Sequence, residues 1–414
     1  MKKSPASKRV CMIAMASYPG DPRIRRQVEA LDEAGYEVDV LCRYSGKQPP
    51  KENFGNVTAY RIMNAPSREN KILYFLQSVL FLFIAFLRLV PLSIKRKYKV
   101  IQAHNLPDYL IFAGIFHKMF GVKLLLDIHD PSVDLFEEKW PGKKNKVLKA
   151  LMARAEKYSC KLSNHLFTVT NTCKERLVER GNPSNKITLI LNTANEGFFK
   201  FNNEREFKKI KRGAKIIYHG TIAERFGLHN VIVAMPYLLK DIPDSVLDIY
   251  GRYEGSYLTK LERLVNDLEL SDNVNLNGKV VREQIPELIN NHDVGIVPYL
   301  QTDYMNLALP TKAFEYIAMG LPLVSTKLKD LFETFDDNCI KYVDESVPKQ
   351  IAGAISFLCH NPAVSKNLVE SSYQKLSEIS GAVMKERFIQ TYDELTSSKP
   401  DEFATSSTSS FLFL

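Results

Sequence analysis

The sequence predicts an α/β protein with two doubly wound domains, and three observations support this prediction. From residue 10 onward, short β-branched and apolar runs alternate with helical patterns. The alternation is interrupted by a charged stretch over residues 196–212 and then resumes. The chain has 414 residues, which is more than one domain usually contains. Because alternating strands and helices indicate a parallel sheet covered on both faces, we expect one such sheet on each side of that stretch.

The N-terminal domain is predicted over residues 8–195. Its strands are expected at Val10–Ala16, Val38–Cys42, Val100–Ala103, Lys123–Ile128 and Leu166–Thr170. The first helix has clear boundary signals, because Asp21 can cap its N-terminus, Pro22 suits its first turn and Gly35 can end it.

The C-terminal domain is predicted over residues 213–380, after a linker at residues 196–212. Its strands are expected at Lys215–His219, Val246–Tyr250, Asn273–Leu276, Asp293–Pro298 and Leu321–Ser325. A further helix is predicted over residues 381–396. Residues 397–414 are rich in Ser and Thr, so we expect a disordered tail there.

Composition limits the classes of protein and partner. Hydrophobic residues make up 45% of the chain and charged residues 25%, which excludes a collagen-like or wholly disordered protein. The net charge of +9 favours phosphorylated metabolites, acidic lipids or nucleic acid. Nucleic acid is disfavoured, since the basic runs lack interleaved aromatic residues. Six cysteines without a Cys-x-x-Cys spacing indicate neither a zinc site nor a disulfide framework, and we expect a cytoplasmic protein.

One apolar segment is relevant to membranes. The run Ile72–Leu87 is shorter than the roughly 20 residues that a membrane-spanning helix needs, which argues against a transmembrane helix. The longer segment Ile72–Leu92 fits a buried core helix and a helix lying on an anionic membrane about equally well. Two basic runs favour peripheral attachment to the inner face of the membrane, namely Lys95, Arg96, Lys97 and Lys99, and Lys143, Lys144, Lys146 and Lys149.

The turn after the first strand is expected to border a ligand cleft. It lacks the three glycines that let a backbone approach a dinucleotide, so a nicotinamide-dependent dehydrogenase is disfavoured. Ligands of such sheets nonetheless bind beyond the carboxyl ends of the strands. We therefore expect Gly20, Asp21 and Arg23 at the cleft, although helix capping explains Asp21 equally well.

Histidines follow two further strands. His129 lies between Asp127 and Asp130 where a buried strand ends, and flanking carboxylates can tune and orient an imidazole. A functional role is therefore favoured for His129. His104 follows the strand Val100–Ala103 and can face the same opening, but an ordinary buried side chain is the simpler interpretation there.

The C-terminal domain offers groups that suit a diphosphate. Gly220 permits close approach of a ligand, and Arg225 lies near the start of the next helix, where backbone amides also favour anions. Lys312 and Glu315 share one face of a helix that Pro310 is expected to begin. Their convergence fits an anion with vicinal hydroxyls. The simpler alternatives are an exposed cation at Arg225 and a surface ion pair between Lys312 and Glu315.

Several motifs together resemble one known family. The most specific is Leu309 to Tyr316 (LPTKAFEY), and the weaker ones are Asp21–Arg26, Asp127–Asp130, His219–Thr221 and Val297–Tyr299. The chain is similar over nearly its whole length to the retaining glycosyltransferases of family 4, the group 1 type. The resemblance implies the GT-B fold, in which two Rossmann-like domains face each other across a cleft.

The resemblance also implies a function and a set of site residues. The chain would move a sugar from a nucleotide-diphosphate donor to a glycan or lipid-linked acceptor, in bacterial surface polysaccharide biosynthesis. Glu315 would hold the ribose hydroxyls, Arg225 and Lys312 the phosphates and His129 the donor sugar, and these four would be catalytic. Further donor-binding residues would be Gly220, Thr221, Pro298, Tyr299, Ala308, Leu309, Pro310 and Thr311. The acceptor side would contain Gly20, Asp21, Arg23, His104 and Asp130. The final helix would cross back to the N-terminal domain.

Two positions depart from the family pattern. Leu307 stands where many relatives have a second glutamate, so backbone amides over residues 306–309 would replace it. Phe226 stands where many relatives have a phosphate-binding lysine. Because Asp-x-Asp is absent from the sequence, neither a metal nor another cofactor is expected. Two alternatives remain: a nucleotide-sugar epimerase of the same fold, which needs further acid–base groups, and a non-catalytic nucleotide-sugar-binding scaffold.

Overall fold

The computed structural model describes residues 8–65, 71–139, 146–195, 197–343 and 347–397, which divide into two compact units. The first unit contains the chain up to Leu191 and again from Met384, and the second spans Asn192–Val383. Each is an α/β unit built on a largely parallel sheet, which confirms the predicted fold class. The predicted tail beyond residue 397, with Lys143 and Lys144, lies outside the described residues.

The first unit is built on one sheet of eight strands. The strands are β1 (Arg9–Ser17), β2 (Glu37–Arg43), β3 (Lys51–Phe54), β4 (Val57–Met63), β5 (Val100–His104), β6 (Lys123–Ile128), β7 (His165–Thr168) and β8 (Ile187–Leu189). Their order in the sheet is β3-β4-β2-β1-β5-β6-β7-β8. Neighbouring strands pair in parallel except for the edge strand β3, which is antiparallel to β4.

Helices cover both faces of this sheet. They are α1 (Pro22–Glu33), α2 (Lys71–Arg96), α3 (Ile115–Met119), α4 (Ser132–Lys139), α5 (Lys146–Leu162) and α6 (Asn171–Glu179), and a 3₁₀ turn at Asp108–Gly114 leads into α3. Alternate side chains of β1 enter opposite layers. Val10 and Met12 pack with residues of α1, whereas Cys11 and Ile13 pack with residues of α2.

The second unit is built on six parallel strands. They are β9 (Lys215–His219), β10 (Val246–Tyr250), β11 (Val274–Asn277), β12 (Val294–Val297), β13 (Leu323–Thr326) and β14 (Lys341–Val343), in the order β11-β10-β9-β12-β13-β14. Its helices are α7 (Leu228–Asp241), α8 (Tyr257–Asp267), α9 (Ile285–Asn290), α10 (Thr311–Ala318), α11 (Lys329–Thr334), α12 (Pro348–His360) and α13 (Pro362–Glu378). The order of the sheet changes direction at β9, so the loops after β9 and β12 lie side by side where ligands of such folds bind.

The last described helix, α14 (Gly381–Ser397), begins at the end of the second unit and runs into the first. Its side chains Phe388 and Tyr392 are buried in the α1 side of the first unit's core. The hydroxyl group of Tyr36 donates a hydrogen bond to Asp393 at 2.6 Å. The C-terminal helix therefore forms part of the N-terminal fold.

Several elements differ from the prediction. The sequence analysis missed β3, β4, β8 and β14, which are strands at or near the sheet edges. The helix α2 continues through Pro91 to Arg96, so the apolar segment is longer than the run that the sequence analysis recognised. Among the described residues, one helix, Leu73–Arg96, is long and apolar enough to cross a membrane by length and composition.

Residues 197–212, all of which the structure describes, contain neither helix nor strand and pack on the second unit. The guanidinium of Arg205 donates to the carbonyls of His292 at 2.8 Å and Ile289 at 3.2 Å. The N–H of Ile210 donates to the carbonyl of Cys359 at 2.9 Å. This stretch is thus held by specific hydrogen bonds to β-sheet loops and helices of one unit.

Candidate functional site

The carboxyl ends of β9 and β10 approach each other through two glycines. Gly220 has a φ of 121° and its N–H donates to the carbonyl of Tyr250 at 2.9 Å. A Cβ atom on Gly251, whose φ is 153°, would lie 1.6 Å from the carbonyl oxygen of Gly220. Only glycine fits such a position. A Cβ on Gly220 would in turn lie 3.1 Å from the side chain of Lys312, so Gly220 leaves the lysine its space.

Lys312 extends from the first turn of α10 into an aromatic enclosure. Its side chain is only 6% exposed, and its Nζ donates to the hydroxyls of Tyr218 at 2.9 Å and Tyr299 at 2.8 Å. The same Nζ lies 4.1 Å from the ring centre of Tyr218, 4.8 Å from that of Tyr299 and 5.2 Å from that of Phe226. Cation–π attraction and two hydrogen bonds therefore partly replace the water that the ammonium group loses.

Burial changes the charge of Lys312. Loss of water lowers the pKa of its amine to about 7, the nearby carboxylate of Glu315 opposes this shift and the guanidinium of Arg225 adds to it. The amine is consequently close to half protonated at neutral pH. A diphosphate arriving beside it would favour the protonated form.

Glu315 lies one turn further along α10, beside His219 at the end of β9. Its Oε2 is 3.3 Å from the Nε2 of His219, and the carboxylate is 18% exposed. Burial and the neighbouring Lys312 lower the pKa of His219 to about 3, so this imidazole is neutral at physiological pH. Tyr316 fixes the strand end, because its hydroxyl accepts from the N–H of His219 and donates to the carbonyl of Ile217.

Arg225 lies in the 3₁₀ turn Glu224–Phe226 between β9 and α7. Its side chain is 35% exposed, and it donates to Glu254 at 2.9 Å. The guanidinium lies 4.6 Å from the ring centre of Phe226, which also faces Lys312. Phe226 thus contacts both Arg225 and Lys312, the two cations expected to bind a diphosphate. Many relatives have a lysine at position 226.

The other residues predicted to bind the donor lie next to the same strand ends. Pro298 and Tyr299 continue from β12, and the carbonyl of Thr221 accepts from the hydroxyl of Tyr218 at 2.7 Å. Ala308, Leu309 and Pro310 lead into α10, which begins at Thr311. The prediction that Pro310 is the first helical residue is wrong by one position, because Pro310 has the extended backbone of an N-cap. Pro310 makes no side-chain capping hydrogen bond to this helix.

A second cluster lies in the first unit around the carboxylate of Asp127, at the end of β6. Its Oδ2 is 3.0 Å from the Nε2 of His129 and 3.1 Å from the Nδ1 of His104. The amide of Gln27 donates to the same oxygen at 2.6 Å, and that of Gln102 lies 3.4 Å from it. All five side chains are buried. The structure therefore brings His104 and His129 together, with their rings parallel and 6.1 Å apart.

The charge of Asp127 is maintained by its neighbours. Burial favours the protonated acid, but the adjacent His129 and His104 outweigh burial and hold the pKa of Asp127 well below its usual range. The ligand atoms of these three residues lie within 4.8 Å of one another, a spacing that also suits a metal ion. The amide donors of Gln27 and Gln102 occupy the same carboxylate, which instead favours a hydrogen-bonded network.

The other residues predicted for the acceptor side lie on the segments that follow β1 and β6. Asp21 caps α1 by accepting from the N–H of Arg23, and the guanidinium of Arg23 returns two bonds to the same carboxylate at 3.2 and 2.9 Å. Burial opposes ionisation of Asp21, but Arg23 outweighs it and lowers the pKa of the acid. Gly20 is exposed beside them, and Asn105 donates to the carbonyl of Asp130 at 2.6 Å.

Sequence reasoning missed four polar residues of these clusters, namely Gln27, Gln102, Tyr218 and Tyr392. Gln102 donates to Gln27 at 2.6 Å and accepts from the hydroxyl of Tyr392, so α14 contacts the Asp127 network. A usable signal was present, because Gln102 interrupts the otherwise apolar strand Val100–Ala103. A polar side chain in a strand buried on both faces needs partners.

Comparisons with known proteins match each half of the chain to a family. Residues 20–193 match the glycosyl transferase 4-like domain, and residues 200–375 match glycosyl transferases group 1. The chitobiosyldiphosphodolichol beta-mannosyltransferase of Candida glabrata is 23% identical over 401 residues, which cover 89% of this chain and 87% of that protein. The putative teichuronic acid biosynthesis glycosyltransferase TuaH of Bacillus subtilis is 32% identical over 76 residues, 18% of this chain and 19% of that protein.

Solved structures show the same fold at low identity. The sucrose-phosphate synthase of Thermosynechococcus elongatus superposes with a TM-score of 0.73 at 17% identity, over 94% of this chain and 99% of that one. HepE of Anabaena, solved in complex with UDP, superposes with a TM-score of 0.69 at 12% identity, over 94% of this chain and 100% of that one. These similarities extend over both units.

Proposed function

Because this chain belongs to the glycosyltransferases of the GT-B fold, we propose that it moves a hexose from a nucleoside-diphosphate sugar to a glycan or lipid-linked acceptor, with retention at the anomeric carbon. One observation carries the proposal most directly. Lys312, Arg225 and Glu315 lie at the strand ends of the second unit. They are next to Gly220 and Gly251, whose backbone carries no side chain that would block a ligand. Two cations with one carboxylate suit a diphosphate joined to a ribose.

In the proposed reaction, the second unit stabilises the leaving group. The bond between the anomeric carbon and a diphosphate oxygen breaks, and negative charge grows on that oxygen. Arg225 and protonated Lys312, together with the uncapped amides at the start of α10, would lower the energy of this charge. Glu315 would accept hydrogen bonds from the ribose hydroxyls. The acceptor oxygen would form the new bond to the anomeric carbon on the face that the leaving group vacates, and its proton would pass to the departing diphosphate oxygen. The likeness of the motif at residues 309–316 supports this retention.

In the first unit, His129 would contact the donor sugar. The charged Asp127 fixes the orientation of its ring through a 3.0 Å contact, and Asp127 is itself held by Gln27. His104 lies in the same network and would act on the acceptor side. The groups in these proposed roles are side chains and backbone amides, so we propose that no metal ion takes part.

The names of two relatives support a proposal for the acceptor. The name of the Candida glabrata relative specifies an acceptor on a diphosphodolichol, and TuaH is named for teichuronic acid biosynthesis. We accordingly propose an acceptor carried on a lipid diphosphate, a role in bacterial surface polysaccharide biosynthesis, and peripheral attachment at the inner face of the membrane.

The experiment is a donor screen with a matched pair of variants. Binding of UDP-, GDP- and ADP-sugars is measured by calorimetry, beginning with UDP-sugars because HepE binds UDP. Glu315→Ala is expected to weaken donor binding at least about tenfold, since a buried hydrogen bond to a charged group contributes roughly 1.5–3 kcal/mol. Glu262→Ala, an exposed residue of α8, is the control and should bind as the wild type does.

Turnover separates the remaining possibilities. Transfer or slow hydrolysis of the donor, with an α-linked donor giving an α-linked product by NMR, supports the proposal. A β-linked product from an α-linked donor would contradict retention. Binding without transfer or hydrolysis would identify a scaffold, and unchanged donor affinity in Glu315→Ala would overturn the assigned site.

A further inference from the structure

Three segments of the first unit form one layer on the same face of its sheet. The helix α2 places Phe81, Ala85 and Leu89 against that face, and the 3₁₀ turn before α3 places Leu110 and Ile111 beside them. The ring centres of Phe86 on α2 and Phe116 on α3 are 5.6 Å apart. The side chain of Lys118 on α3 donates to the carbonyl of Leu162 at the end of α5. The layer therefore runs from α2 through α3 to α5.

The outer side of this layer is also apolar. Met119, the last residue of α3, is 74% exposed and Phe120, which follows it, is 86% exposed, and Val147 at the start of α5 is 76% exposed. On α2, Leu76 and Phe83 are each 57% exposed. Exposed apolar groups scattered singly are ordinary, but several large ones on neighbouring helices indicate an interaction surface. We call these side chains of α2, α3 and α5 the three-helix surface.

The charges on α2 and the residues after it are positive, whereas on α5 one cation, Lys149, is paired with Glu137 of α4. Residues 71–107 contain no acidic residue, and Arg88, Lys95 and Lys99 are exposed among them. Arg154 and Lys157 are exposed on α5, whereas the acid of that helix, Glu156, is buried against Arg180. The predicted membrane role of Arg96 is wrong, because its guanidinium is bonded to Asp39 and Glu37 within the fold.

We propose that the three-helix surface docks on an anionic lipid bilayer, with α2 lying along the interface and the tip formed by Met119 and Phe120 inserted among the lipids. Apolar side chains bordered by cations favour such a surface, because the apolar groups insert among the lipids and the cations are attracted to anionic headgroups. A second copy of this chain fits less well, because a two-fold interface would bring the same cations together. Spanning the membrane would remove Phe81, Ala85 and Leu89 from the core. The proposal rests on the membrane location given under Proposed function and names the surface responsible.

The experiment is flotation of the full chain with vesicles of phosphatidylcholine, with and without phosphatidylglycerol. Wild type is expected to float with phosphatidylglycerol at low salt and to lose most of this binding at high salt. Met119→Ser combined with Phe120→Ser should reduce the bound fraction about tenfold or more. These side chains are exposed, so the fold is retained. Tyr237→Ser combined with Val281→Ser is the matched control, since both residues are exposed in the second unit, and it should float normally.

A charge variant and two further measurements complete the test. Replacing Lys95, Lys97 and Lys99 with Gln should lower binding to anionic vesicles only. Failure of wild type to float, or flotation unaffected by Met119→Ser with Phe120→Ser, overturns the proposal. So does a stable dimer in size-exclusion chromatography that this double variant dissociates. Donor binding by calorimetry is expected to be unchanged in every surface variant, so failure of the membrane proposal remains distinct from failure of the proposed function.

Discussion

A lysine amine with a pKa of about 7 makes donor binding depend on pH. Lys312 loses its proton as the pH rises above 7, and an anionic diphosphate binds the protonated form more tightly. Binding therefore takes up a proton above pH 7, and affinity for a nucleoside-diphosphate sugar should fall by up to about tenfold per pH unit. Calorimetry between pH 6 and pH 9 measures this. The phosphates of such a donor do not titrate in that range, so the lysine accounts for the change.

The control for this prediction is Lys312→Met, which keeps an unbranched side chain in the aromatic enclosure. It should bind donor weakly and with little pH dependence over the same range. An affinity of wild type that stays constant from pH 6 to pH 9 would contradict the assignment of Lys312 to the diphosphate.

Arg225 should matter more for turnover than for nucleoside affinity. In the proposed reaction its partly exposed guanidinium would lie where the departing diphosphate develops charge, and interactions stronger in the transition state raise the rate. Arg225→Ala is expected to lower kcat about 10²-fold, with a smaller effect on binding of the free nucleoside. Arg263→Ala on the exposed side of α8 serves as the control. Equal losses for nucleoside and diphosphate binding would argue against this role.

Sequence patterns identified the charged residues of the site better than their neutral partners. Lys312, Glu315 and Arg225 stand in a recognisable motif or beside a glycine turn, so their types and spacing were informative. Tyr218 lies inside a strand and resembles an ordinary core residue, although its hydroxyl contacts the lysine at 2.9 Å. Such partners are identified by the distances between side chains in the folded protein. A single sequence does not give these distances.

Among the elements, α14 is expected to contribute strongly to the stability of the first unit. Phe388 is 2% exposed and its ring centre lies 5.2 Å from that of Phe167. Phe388→Ala removes this packing and should lower the free energy of unfolding by about 3–5 kcal/mol. Urea denaturation monitored by fluorescence or circular dichroism measures the loss. Glu386→Ala, an exposed position on the same helix, should change stability by no more than about 0.5 kcal/mol.

Element prediction succeeded where strands are fully buried and failed at the sheet edges. β1, β5, β6 and β9 are mostly apolar and buried, although Gln102 interrupts β5 and Asp127 interrupts β6, and each strand was predicted within a few residues of its observed bounds. β3 and β4 form a hairpin at one edge; the half-exposed β3 carries Lys51, Glu52 and Asn53, and the largely buried β4 is interrupted by Arg61. Both strands depend on hydrogen bonds to a neighbouring strand, which the local pattern of apolar residues does not predict.

At the scale of the whole molecule, we expect catalysis without a metal ion. Cations and helix amides are available for the diphosphate, and the buried Asp127 is already matched by two histidines and two glutamine amides. Turnover should therefore be unchanged after treatment with EDTA and after addition of Mg²⁺ or Mn²⁺. Loss of turnover on chelation, with recovery on adding either cation, would refute this expectation and direct attention to His104, Asp127 and His129.

The hydrogen bonds of residues 197–212 bear on how the second unit can be produced as a separate fragment for ligand screening. A fragment that begins at residue 213, where the sequence places the domain boundary, would lack Arg205 and its hydrogen bonds to the carbonyls of Ile289 and His292. It would also lose the bond from Ile210 to Cys359. An expression fragment covering residues 192–383 keeps all three and is the rational starting point for NMR titration with nucleotides.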